Sequence, residues 1–143
     1  MSARRYVETS ALLRALLEGD EDLRAALRGE GLFTSELTFV EAARSVRRAR
    51  REGRLDAAAA REVERQLAGF ERTCVTIGLE DEVLRVARED LPVEPVRTLD
   101  ALHLASIRTL DAELGAFEVL SCDERVRQNA SALGFRLSPV KSS

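Results

Sequence analysis

Hydrophobic and polar positions alternate along this chain in two distinct rhythms. Short apolar or β-branched runs at residues 5–8, 32–34, 74–77, 117–120 and 135–137 read as strands. Between them the spacing turns helical. A helix capped near Thr9 or Ser10 covers 11–18, and a second covers 21–28, ending at Gly29-Glu30-Gly31. A long one over 36–52 carries Leu37, Val40, Ala43 and Val46 at helical spacing. The next, 55–71, sets Ala58, Val63, Leu67 and Phe70 on one side, and 80–89 and 124–133 follow, the last with Gly134 as its C-terminal cap. Pro92 and Pro95 make 90–97 a loop.

The segment 98–110 differs from the other helices. Leu99, Leu102, Leu104, Ile107 and Leu110 put apolar side chains on most of its sides, as in a helix at the centre of a domain. Yet Asp100 lies in its first turn, and His103, the only histidine, follows one turn later. A carboxylate entering a buried helix is costly without a compensating helix N-terminus, basic side chain or metal ion.

Strands alternating with helices predict one α/β domain over 1–138, with a mostly parallel sheet of about five short strands and a polar tail at 139–143. Ligands bind such sheets beyond the carboxyl ends of the strands. Glu8 ends the first strand, and Asp123 lies just past the fourth. Glu41 and Asp100 fall in the first turns of helices. Four acids are thereby expected to converge on one sheet edge.

Composition narrows the chemistry. The 143 residues are 45% hydrophobic and 33% charged, the profile of a soluble globular domain. No apolar run has membrane-spanning length and the N-terminus has no signal-peptide core, so a cytoplasmic location without a membrane partner is expected. Cys74 and Cys122 form no CxxC pattern, and one histidine is too few for a zinc site, so both thiols are expected to be reduced and buried. GxGxxG and Walker loops are absent, which argues against a nucleotide cofactor. Arginines 44, 47, 48, 50, 51 and 54 crowd one helix against a single acid, Glu52. Like charges at i,i+3 and i,i+4 destabilise a helix, and phosphate binding is a reason to keep them together. Nothing resembles a helix-turn-helix with a recognition helix.

Each acid also has an ordinary structural explanation. Thr38 to Glu41 and Ser121 to Glu124 fit capping boxes, Asp123 fits an N-cap, and Asp100 complements a helix dipole. His103 reads as a satisfied core residue or a support for a ligand, not as a ligand itself. The joint pattern says more. Carboxylates gathered on a sheet edge repel one another unless a cation intervenes, and oxygen-only donors suit Mg²⁺ or Mn²⁺. With an arginine surface beside it, such a centre describes a metal-dependent nuclease.

Four segments carry a family likeness: RRYVETSALLRAL at 4–16, TSELTFVEAARSV at 34–46, RTLDALHLAS at 97–106 and LSCDERVRQNASALGF at 120–135. In this order and at these separations the chain resembles the PIN-domain ribonucleases, in particular VapC-type toxins of bacterial toxin–antitoxin pairs. The resemblance implies a three-layer α/β/α fold in which Glu8, Glu41, Asp100 and Asp123 hold one or two Mg²⁺ or Mn²⁺ ions. Thr9, Ser10 and Ser121 would orient those acids, and an activated water would cleave an RNA phosphodiester. Arg44, Arg47, Arg48 and Arg51 are the expected RNA-binding residues. A small antitoxin and a homodimer are the implied protein partners. The chain departs from the family pattern at Glu8, where the family has aspartate, and at Ser121, where it has threonine. The first departure admits an alternative, a non-catalytic PIN-like module that binds RNA or protein.

Overall fold

The structure, a computed structural model, describes residues 4–140. The last three residues of the expected tail, 141–143, lie outside the described residues. The strands are β1 (Arg5–Val7), β2 (Leu32–Ser35), β3 (Val75–Ile77), β4 (Glu118–Leu120) and β5 (Arg136–Leu137). They form one sheet in the order β3-β2-β1-β4-β5 with every pairing parallel. The helices are α1 (Thr9–Leu17), α2 (Glu21–Ala26), α3 (Glu36–Arg51), α4 (Ala57–Thr73), α5 (Asp81–Val86), α6 (Thr98–Leu114) and α7 (Glu124–Ala132).

Three layers follow from the period-two alternation of the strands. Val7, Leu32 and Leu120 point to one face and pack with Leu12, Val46, Val63 and Phe70 from α1, α3 and α4. Their neighbours Tyr6, Phe33 and Val119 point to the other and pack with Leu104, Ile107 and Val126 from α6 and α7. In β1, β2 and β4, successive apolar residues feed opposite faces, which is why they read as short continuous runs. β1 sits at the centre, with Tyr6 opposite Phe33 and Val119, and Tyr6 and Val7 both fully buried.

From β1 the chain builds the sheet outward through β2 and β3, then returns to β1's other side for β4 and β5. The winding therefore reverses between β1 and β4. A crevice opens at such a reversal, beyond the carboxyl ends of the two strands.

Several expectations are corrected. The N-cap of α1 is Glu8, not Thr9 or Ser10. α3 starts at Glu36 under a Ser35 cap, so Thr38 and Glu41 make no capping box and Glu41 lies in the second turn. Its buried face is Leu37, Thr38, Ala42, Val46 and Ala49, whereas Val40 is 60% exposed and Ala43 is also exposed. On α4, Ala60 replaces Ala58 in the core. α6 continues past Leu110 to Leu114 and stops at Gly115, whose φ of 82° suits glycine. The cysteines are free but only partly buried. Within the expected tail, Val140 packs against the first core cluster. Among the described residues no helix is long and apolar enough to cross a membrane.

Candidate functional site

The crevice between β1 and β4 is lined by what immediately follows each strand. Glu8, 4% exposed, ends β1 and bends over the start of α1. Its Oε2 accepts the Ser10 backbone N–H at 3.1 Å, and its Oε1 accepts the Ser10 and Ser121 hydroxyls, each at 2.5 Å. Ser121 continues from β4, and its Oγ accepts the Asp123 backbone N–H at 3.0 Å. Ser10 Oγ accepts the Cys122 N–H at 2.8 Å. Two serines thus tie the ends of the neighbouring strands around one carboxylate.

Asp123 is the N-cap of α7, its Oδ1 accepting Val126 N–H at 2.9 Å, while Oδ2 takes no hydrogen bond from the described residues. Ser121 and Glu124 therefore form no capping box. Asp100 stands in the first turn of α6, and its one ionic partner among the described residues is the exposed Arg97, 3.9 Å away. Burial raises the Asp100 pKa, and the charges of Asp123 and Glu8 raise it further, against smaller opposing effects of Arg97 and His103. The negative charges of Glu8 and Asp123 thus both act on Asp100.

Glu41 reaches the same region from α3 and is held differently. Its Oε1 accepts the Thr9 hydroxyl at 2.6 Å and lies 2.6 Å from His103 Nε2. His103 is wholly buried, and its Nδ1 sits 2.8 Å from the Tyr6 hydroxyl. These partners fit Nε2–H donating to Glu41 and Nδ1 accepting from Tyr6. Burial raises the Glu41 pKa, but the hydrogen bonds from His103 and Thr9 outweigh it and the net shift is downward. Burial, then the charges of Glu8 and Glu41, hold the Tyr6 pKa well above its ordinary value. Tyr6 escaped sequence reasoning. The signal pointing to it was the lone histidine one turn after Asp100 on a buried helix.

The donor set is hard oxygen throughout, the chemistry Mg²⁺ and Mn²⁺ prefer. The repulsion felt by Asp100 is the kind a cation relieves. Asp123 Oδ2 and Glu41 Oε2 accept no hydrogen bond from the described residues, whereas both Glu8 oxygens accept hydrogen bonds from Ser10 or Ser121. Among the described residues, no three carboxylate, histidine or cysteine groups stand in ready-made ligand geometry. Arg44, Arg47, Arg48 and Arg51 are all exposed along α3. Arg44, Arg47 and Arg51, joined by Arg50, line a cleft of about 420 Å³.

The PIN domain family model matches residues 5–132. The chain belongs to the PIN domain family. It is also similar to Ribonuclease VapC35 of Mycobacterium tuberculosis, with 33% identity over 136 residues, 90% of each chain. Among solved structures, this PIN domain is similar to one titled a toxin–antitoxin complex from Klebsiella pneumoniae. The TM-score is 0.64 at 15% identity, covering 99% of this chain and 100% of the other. PAE2754 from Pyrobaculum aerophilum aligns with TM-score 0.58 and 25% identity, covering 90% of this chain and 87% of that one. The VapC-type resemblance carried by the four sequence segments stands, as does the three-layer α/β/α architecture.

Proposed function

We propose that this PIN domain is a metal-dependent endoribonuclease of the VapC kind. What supports the reading is that Glu8 and Asp123 directly follow the neighbouring strands β1 and β4, and that their charges add to burial in raising the Asp100 pKa. Glu8, Glu41, Asp100 and Asp123 would hold one or two Mg²⁺ or Mn²⁺ ions, Glu8 from within its serine cradle. When bound, such an ion supplies an activated water and offsets charge on the phosphoryl oxygen. Thr9 orients Glu41, and Ser10 and Ser121 orient Glu8. Arg44, Arg47, Arg48 and Arg51 would hold the RNA backbone leading from the site. The VapC relative and the toxin–antitoxin neighbour support a small antitoxin as partner and action on cytoplasmic RNA. A homodimer packed through helices belongs to the same reading.

One observation favours a second reading. Both Glu8 oxygens are taken up by serine, so a non-catalytic module that binds RNA or protein is the alternative. One experiment separates the two. Structured cellular RNA is incubated with the protein and Mn²⁺ or Mg²⁺, with EDTA and Asp100→Asn as controls. Cleavage lost in both controls is the expected result, and cleavage surviving both overturns the nuclease. A wild type that is inert, binds no Mn²⁺ by calorimetry and gains activity only as Glu8→Asp establishes the module.

A further inference from the structure

His103 is buried deep in α6, yet it spends its Nε2 on a partly exposed carboxylate at the site, contributed by a helix far away in sequence. A core histidine needs partners for both nitrogens, and backbone carbonyls or hydroxyls meet that need without involving a charged group at the surface. Here the two nitrogens join Tyr6 of β1 to Glu41 of α3, at 2.8 and 2.6 Å. Thr9 of α1 holds the same Glu41 oxygen at 2.6 Å and lies 3.1 Å from Nε2. Three helices therefore meet on one carboxylate oxygen, with β1 joined to them through the far side of the imidazole.

A glutamate on an exposed helix edge would otherwise sample several rotamers. Two donors on Oε1 remove that freedom and leave Oε2 without a hydrogen-bond partner among the described residues. Tyr6 packs edge-on to the imidazole, with ring centroids 6.0 Å apart, so the ring is held by shape as well as by its hydrogen bonds. Resting on the metal-centre reading above, we infer that His103, braced by Tyr6, is a positioning residue that holds Glu41 Oε1 and so presents Oε2 to the cation.

The test compares His103→Leu, His103→Gln and Tyr6→Phe in the full chain. Mn²⁺ affinity is read by calorimetry, fold by circular dichroism, and kcat separately from KM. Groups that orient a metal ligand change affinity by about 10–100-fold when lost. His103→Leu is expected to weaken Mn²⁺ binding on that scale. His103→Gln, whose amide N–H can replace Nε2–H, is expected to recover most of the loss, and Tyr6→Phe to weaken binding by about threefold to tenfold. KM for RNA should stay near wild type, because the arginines of α3 are left unchanged. A folded His103→Leu that binds Mn²⁺ like wild type overturns the inference. So does an equal loss in the Leu and Gln variants, which would make the effect one of packing. Should His103→Leu not fold, unaltered Mn²⁺ affinity in Tyr6→Phe overturns it alone. A wild type with no Mn²⁺ affinity brings down the metal-centre reading, and this inference with it. Variants that all match a Mn²⁺-binding wild type sink only the role of His103.

Discussion

Burial and the charges of Asp123 and Glu8 push the Asp100 pKa up, so the ionised form of this side chain is the one the fold by itself disfavours. The sign for stability follows by linkage. With a folded-state pKa above the unfolded one, the folded state binds more protons between the two values, and stability falls as pH rises through that window. Glu41 has the opposite sign. Its folded pKa is lowered, so its stabilisation is present above the unfolded value and lost as pH falls through the folded one. Amide substitutions at the two acids should therefore move Tm in opposite directions. In EDTA at pH 7.5, Asp100→Asn is expected to melt about 1–3 °C above wild type, while Glu41→Gln melts below it. Asp100→Asn should also cut RNA cleavage at least about a hundredfold, because metal stabilisation of a phosphoryl transition state is worth several kcal/mol. Melting curves beside a cleavage assay check both. A lower Tm for Asp100→Asn would contradict the repulsion.

Among the elements, α3 carries both site and surface. The face it buries differs from the one its apolar spacing predicts, and the cause is a threonine. Thr38 looks polar, but it is fully buried, with its hydroxyl 2.7 Å from that of Thr34, which in turn donates to the Val7 carbonyl at 2.6 Å. Once a satisfied threonine joins the core, the buried stripe rotates, and Val40 and Ala43 turn outward. The central strands β1, β2 and β4, by contrast, were legible because both of their faces feed a core. The acids were legible as positions but not as partners. Nothing in the spacing links Glu41 to a histidine on α6, and glutamate is an uncommon N-cap, so the withdrawal of Glu8 into serine contacts had no local signature. The rotation sets Arg44, Arg47 and Arg51 on the exposed side of α3, one turn and more beyond Glu41. Replacing Arg47 and Arg51 together with alanine should weaken RNA binding evenly across sequences. It should also reduce the slope of log K against log salt by about 0.7–0.9 for each phosphate that the helix no longer neutralises, with Mn²⁺ affinity unchanged. Filter binding across a salt series measures this, and an unaltered slope would move the RNA path off α3.

At the scale of the whole molecule, the proposed ligands come from distant parts of the chain, and Glu8 lies beside Ser121 and Asp123 because the sheet winds outward in both directions from β1 and β4. Glu8 follows β1, Asp123 follows β4, Asp100 arrives on the helix that crosses from one half to the other, and Glu41 arrives on α3. A cation held there links the helices covering both faces of the sheet, and it binds the folded state alone, since the unfolded chain scatters these residues. Its effect on stability then obeys mass action, about 2.7 kcal/mol at a hundred times the dissociation constant. For a domain of this size that corresponds to a Tm increase of about 5–11 °C. The increase must depend on pH, because the cation competes with the proton that Asp100 retains above the ordinary aspartate range. At one fixed Mn²⁺ concentration, the rise in Tm should shrink as pH falls through the raised Asp100 value, be largest well above it, and vanish with EDTA. In Asp100→Asn, which has no such proton to displace, this growth with pH should flatten along with the rise itself. A shift whose size does not change across the acid range would place the stabilising cation at some other group, and the crevice between β1 and β4 would lose its claim to it.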